Sequence, residues 1–164
     1  QLLSANHSGV TMQQIDNLSP TIMLAEMTHL LAAKHLADQY KQELGFTNRA
    51  ILQKAIETQS LFVASLQSEQ INELAGFVYF HARRDHVITL YSIVVTSAYQ
   101  KRGLGRQLFA ALINEAQERQ KSEIRLKCPT ELAANGFYEH LGLQLLDCEA
   151  GKHRPLNIWA YTLT

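Results

Sequence analysis

Cysteine is scarce in this sequence: Cys128 and Cys148 are the only two among 164 residues. Neither forms a CxxC pair or stands beside histidines at metal-ligand spacing, which argues against a disulfide framework and against a bound metal. A reducing, cytoplasmic setting is the expectation. An excess of either charge is also missing, since 15 Lys and Arg balance 15 Asp and Glu. A neutral chain sets up no field to gather a polyanion, so nucleic acid is not expected as a partner. No apolar run approaches the roughly 18 residues needed to cross a bilayer, and no basic segment followed by an apolar stretch opens the chain. A soluble protein that is not exported and has no membrane partner is expected. Repeats, low-complexity tracts and linkers are lacking as well, and the length suits a single domain over residues 1–164. Residues 1–11, ahead of Met12, are expected to be an extension without functional weight.

What is present begins with a helical pattern. Ser19-Pro20 is a helix-start signal, because serine can cap free amides and proline is pre-set for the first turn. Met23, Met27, Leu30, Leu31 and Tyr40 then recur near helical spacing as far as Gly45. A second helix is predicted from Thr47 or Asn48, burying Ile51, Leu52, Ala55 and Ile56. Short apolar runs over Leu61–Leu66, Leu74–Phe80 and Val87–Val95 predict neighbouring antiparallel strands. The helical period returns through Leu104, Leu108, Ala111, Leu112 and Ala116, and Ile124, Leu126 and Cys128 then alternate as a half-buried strand. A compact helix over about Thr130–His140, ending at Gly142, and strands over Leu143–Asp147 and Leu156–Thr162 complete the order. The sum is an α/β (α+β) fold, a mixed sheet with helices on its faces.

The stretch with most chemistry joins an apolar strand ending in Ile93, Val94 and Val95 to a helix opened by Gln100, Lys101, Arg102, Gly103, Leu104, Gly105 and Arg106. Two glycines at the mouth of a helix let backbone approach a ligand, while the unpaired amides and the dipole of the first turn attract an anion. Lys101, Arg102 and Arg106 add positive charge at the same place, which suits a pyrophosphate. The pattern is not a dinucleotide fingerprint, because the third glycine of GxGxxG falls on Leu108, and no Gly-Lys-Ser/Thr follows to make a P-loop. A plain strand-to-helix turn capped by glycines stays open as the alternative.

The run Gln100 to Gly105 resembles the Q/R-x-x-G-x-G/A signature of the GNAT superfamily, the Gcn5-related N-acetyltransferases, placed between that family's fourth strand and third helix. Asn135-Gly136-Phe137-Tyr138-Glu139-His140-Leu141-Gly142-Leu143 is similar to the family's FYEKLGF segment. With the element order, the resemblance covers roughly Val10 to Thr162. It implies a mostly antiparallel central sheet of about six to seven strands, splayed between strands four and five, with helices on both faces. It also implies acetyl-coenzyme A (acetyl-CoA) as co-substrate and an amine acceptor, either a small molecule or a protein amino group. The pantetheine arm would add to the main chain of Ile93, Val94 and Val95 as a pseudo-strand. The pyrophosphate would rest on the amides from Arg102 to Arg106, with Gln100 and Lys101 in the same loop. Asn135 lies nearly one helical turn before Tyr138 and would face the same arm.

On this resemblance Tyr138 is the general acid that serves the departing coenzyme thiolate. The protein-lysine branch of the family carries a glutamate where this chain has Thr89, which disfavours a histone-type acceptor. His86 or Glu73 is then the candidate base. Cys128 is expected to be a small buried hydrophobe and not a nucleophile. Trp159 is assigned to the core or to a dimer surface, which leaves a homodimer open. A rival from another class is a non-catalytic acyl-CoA-binding sensor of the same fold.

Overall fold

Thr21–Leu24 form strand β1, which pairs antiparallel with Phe62–Ser65 of β2 (Leu61–Ser68). The expected helix start at Ser19-Pro20 is thereby corrected. A segment lying along an open strand edge gains a full ladder of hydrogen bonds, whereas the first helical turn is a costly nucleus, and a four-residue methionine spacing does not separate the two. The computed structural model describes residues 18–45, 47–68 and 71–164, so the extension expected over residues 1–11 lies outside the described residues.

Helix α1 (Leu30–Gln39) follows a short 3-10 turn, and α2 (Lys41–Leu44) ends at Gly45. Helix α3 (Arg49–Glu57) begins where the sequence places it. Asn48 Oδ1 accepts the Ile51 N–H at 2.8 Å, and Leu52, Ala55 and Ile56 are buried while Ile51 is exposed. Strands β3 (Ile71–Ala82) and β4 (Val87–Val95) continue the antiparallel meander from β2. Helix α4 (Leu104–Glu118), β5 (Glu123–Pro129), α5 (Ala134–His140), β6 (Gln144–Ala150) and β7 (Pro155–Thr162) complete the described chain. Helix α5 is shorter than expected because Thr130 N–H bonds to Pro155 O, which draws the residues after β5 into a turn beside β7.

The described strands form one seven-stranded sheet in the order β1-β2-β3-β4-β5-β7-β6, with β4 and β5 parallel and the other neighbours antiparallel. Helices α4 and α5 cover one face, where Leu104, Leu108 and Leu112 pack on Phe80, Ile88, Ile124, Leu126 and Trp159. Trp159 is thus a core residue. Helices α1 and α3 cover the β1–β4 half of the other face, where Leu36, Leu52 and Ile56 meet Leu61, Val63, Phe77 and Val94. Burying each such side chain stabilises by about 1.5–3 kcal/mol, which is why both faces of the central strands carry helices.

One irregularity positions the site. Tyr79 pairs with Ser92 but Phe80 pairs with Leu90, so Tyr91 is an extra residue in β4, a β-bulge that bends the strand. The parallel pairing of β4 with β5 consists of Val87↔Glu123, Ile88↔Ile124 and Thr89↔Arg125, and stops two residues before that bulge. Beyond Thr89 and Arg125 the two strands part, leaving a fork in the sheet.

Candidate active site

On the α4/α5 face, the mouth of the fork opens into a cleft of about 650 Å³. Its walls are Ile93 and Val95 from β4, the loop Tyr99–Lys101, the first turn of α4 from Gly103 to Arg106, and Phe137, His140 and Leu141 from α5 and its end. Ile93 and Val95 therefore stand where the sequence puts them. Val94 does not: its side chain is buried in the opposite core, and its carbonyl oxygen would lie 2.4 Å from a Cβ on Gly76 of β3. Strand alternation sends the polar groups of Val94 to β3 and those of Ile93 and Val95 toward the fork.

The α4 end is built by two glycines with different tasks. Gly103 takes φ +81°, and a Cβ there would meet nothing within 4 Å, so conformation, not space, requires glycine. The first internal bond of α4 runs from Gln107 N–H to Gly103 O, which leaves the amides of Leu104, Gly105 and Arg106 pointing out of the helix end. A Cβ on Gly105 would instead come 2.8 Å from Phe137 Cζ, so this glycine admits the Phe137 ring over the helix start. Gln100 Nε2 donates to Val95 O at 2.8 Å and pins the end of β4 to the loop. Arg102 lies over the Tyr99 ring at 5.2 Å, and Arg106 donates to His140 O at 3.3 Å, tying α4 to α5. Lys101 is exposed with φ 62°, an unusual conformation for a residue with a side chain. An anion in this cleft would meet helix-end amides and the two lining cations Lys101 and Arg106, a donor set that suits a diphosphate. Arg102 lines a neighbouring hollow with Leu18, Ser19 and Pro20 and not the cleft itself.

Tyr138 stands apart from the cleft lining, half-buried against the α4-face core, with its ring 5.7 Å from that of Phe137. Burial pushes its phenol well above the ordinary value near 10, and the neighbouring Cys128 adds to the shift. Cys128 is the next-to-last residue of β5, so the phenol sits by the β5 wall of the fork. The Cys128 thiol is itself pushed up by burial, with Arg154 acting weakly the other way, and it remains protonated and unreactive. Asn135 is a positioning residue. Its Nδ2 donates to the carbonyls of Pro129 and Leu132, both at 2.8 Å, and its Oδ1 accepts from Trp159 Nε1 at 2.9 Å and Asn157 Nδ2 at 3.1 Å. That side chain has no capacity left for a ligand.

Neither candidate base lies at the fork. His86 is in the β3–β4 turn, and its carbonyl accepts the amides of Ser122 and Glu123 at the closed end. It stands three residues, about 10 Å, before Thr89 on the closed side of the branch point and about 30 Å along the strand from Val95. Glu73 pairs with Leu66, five residues or about 16 Å along β3 from Val78, the partner of Ile93. Thr89, by contrast, sits at the branch point opposite Arg125. Periodicity missed Phe137 and His140 as lining residues of the cleft, and it missed the bulge at Tyr91, which leaves no mark in the apolar pattern.

A sheet forked between parallel neighbours, with a glycine-initiated helix at the mouth of the fork, is the architecture expected of the acetyltransferases that the sequence resembles. The profile described as the Acetyltransferase (GNAT) family matches residues 25–143, and the chain belongs to that family. Its fold is shared with Ard1 from Thermoplasma volcanium, at TM-score 0.76 and 14% identity over 90% of this chain and 99% of that one. The ribosomal-protein-S18-alanine N-acetyltransferase from Escherichia coli gives TM-score 0.67 and 24% identity over 88% and 94% of the two chains. The protein yncA from Salmonella typhimurium, solved with its cofactor acetyl-CoA, gives 0.70 and 20% over 89% and 95%. At these identities the likeness is one of fold. No curated protein matches the chain in sequence. Among the described residues no helix is long and apolar enough to cross a membrane, and no group of three or more His, Cys, Asp or Glu is placed to hold a metal ion.

Proposed function

We propose that this protein is an N-acetyltransferase that moves the acetyl group of acetyl-CoA directly onto an amine, in the reducing cytoplasm that its unpaired cysteines suit. The observation that carries this reading is the fork beyond Thr89 and Arg125, whose mouth opens on the cleft that ends at the first turn of α4. The amides from Leu104 to Arg106, with Lys101 and Arg106, would hold the diphosphate. The main chain of Ile93 and Val95 would hold the pantetheine arm as an added strand, with Val95 O already engaged by Gln100. Acetyl-CoA supplies an activated thioester at the tip of that arm.

The amine nitrogen attacks the carbonyl carbon, a C–N bond forms, the C–S bond breaks and sulfur keeps the electron pair. An amide of β4 at the fork polarises the carbonyl oxygen. Tyr138 donates to the departing sulfur. Because burial holds its own proton, the phenol acts chiefly as a hydrogen-bond donor, and water delivers the proton that completes the thiol. The proton lost by the amine leaves to solvent across the uncovered face of the sheet, where neither His86 nor Glu73 intervenes.

Calorimetry with acetyl-CoA followed by a thiol-release assay over a panel of amines tests this. The expected outcome is saturable binding, turnover of at least one amine, and a Tyr138→Phe variant with kcat lowered roughly tenfold or more at unchanged acetyl-CoA affinity. Binding without turnover of any amine would favour the sensor, and absence of binding would remove the coenzyme site.

A further inference from the structure

The fork has a second opening. On the face of the sheet away from α4, a separate cavity of about 380 Å³ is lined by Arg83, Thr89, Tyr91, Arg125 and Lys127, with Leu90 and Leu126 as its floor. Both floor residues are buried in the α4-face core, so this cavity reaches down between the parted strands toward the coenzyme side. Arg125 and Lys127 alternate with Ile124, Leu126 and Cys128 along β5, which fixes them on the uncovered face. A thioester held in the fork therefore meets its acceptor through this opening.

The lining is one-sided in charge. Arg83, Arg125 and Lys127 face the cavity without a carboxylate among the lining residues. Their acidic partners, Asp85 at 2.8 Å, Glu123 at 2.5 Å and Glu149 at 2.7 Å, stand outside it. Arg125 occupies the branch point opposite Thr89, and its Nε is buried without a hydrogen-bond partner among the described residues. That N–H, without a partner among the described residues, is open to water or to a ligand oxygen, while Nη2 of the same guanidinium is paired with Glu123. Tyr91, 54% exposed on its bulge and stacked near Tyr79 and His81, supplies an apolar wall next to these cations.

We infer that the acceptor is a small amine that itself carries a carboxylate, which Arg125 binds with help from Lys127 and Arg83 while the amine points into the fork. Each cation is already half-neutralised by its own acidic neighbour, which matches a singly charged carboxylate better than a dianionic phosphate. This rests on the acetyl-transfer reading above.

The test uses the full chain with saturating acetyl-CoA and acceptor pairs that differ only in amidation of the carboxylate: glycine against glycinamide, β-alanine against β-alaninamide, leucine against leucinamide. At least one acid should exceed its neutral partner in kcat/KM by about tenfold or more. Arg125→Gln should remove that preference, Arg125→Lys should restore part of it, and acetyl-CoA affinity should hold in both. If Arg125→Gln does not fold, judged by its melting curve, Lys127→Gln on β5 and Arg83→Gln in the β3–β4 turn read the same loss. Neutral amines acetylated as well as the acids, or a preference that survives Arg125→Gln, overturns the inference and leaves acetyl transfer standing. Failure to bind acetyl-CoA, or to acetylate any amine, overturns both.

Discussion

Gly103 and Gly105 are two residues apart and look interchangeable as letters, yet the structure gives them opposite reasons to lack a side chain. Gly103 has space but a left-handed backbone, and Gly105 has helical backbone but the Phe137 ring 2.8 Å from its would-be Cβ. Gly103→Ala is therefore expected to cost about 1–2 kcal/mol of stability through strain at positive φ. Gly105→Ala gains up to about 1 kcal/mol of helix propensity, so its net stability should change little. Its effect should appear instead as a several-fold rise in the acetyl-CoA dissociation constant, because the displaced ring moves in the cleft. Thermal melts and calorimetry on the two variants separate strain from occlusion; equal behaviour would defeat the distinction. The motif itself was legible in the sequence because a helix mouth that binds an anion needs particular residue types in consecutive positions. The division of labour between its glycines was not, since it depends on a ring that arrives from 32 residues downstream.

At the scale of elements, α5 is held to the sheet by one amide side chain. Asn135 joins the end of β5, through the Pro129 carbonyl, to Asn157 and Trp159 on β7. Asn135→Ala would leave several of these half-buried groups unpaired, and a loss of about 2–4 kcal/mol is expected in chemical denaturation. kcat should fall with it, because α5 also carries Tyr138. A loss below about 0.5 kcal/mol would mean that packing of Phe137 and Leu141 alone fixes the helix. Elements with strong, long periodicity, such as α4 and the β2–β4 meander, were readable from spacing alone. Strand β1 was not, because a four-residue segment with three apolar side chains satisfies either period and only the free edge of β2 decides between them.

Across the whole molecule, two tyrosines on opposite faces of the sheet are held protonated. Burial raises Tyr138, with Cys128 adding to it, and burial raises Tyr79, with Tyr91 adding to it. Below pH about 10 both folded and unfolded chains keep these protons, so the stabilisation is fully present. As pH rises past that point the unfolded chain releases them first, and stability falls. Melting temperatures of the wild type should decline above pH about 10, and Tyr138→Phe should flatten that decline; parallel curves would show that the phenol is not held as described. The amino-acid sequence by itself determined the family, the element order from β2 onward and the phosphate-type loop, because each is encoded by residue types at short spacing. Only the tertiary structure decided that His86 lies on the closed side of the branch point and Glu73 on β3 away from it, that Asn135 is internal, and that Arg83, Arg125 and Lys127 converge on one opening. Those are distances between strands, set by register and by the bulge at Tyr91, and no local pattern along the chain carries them.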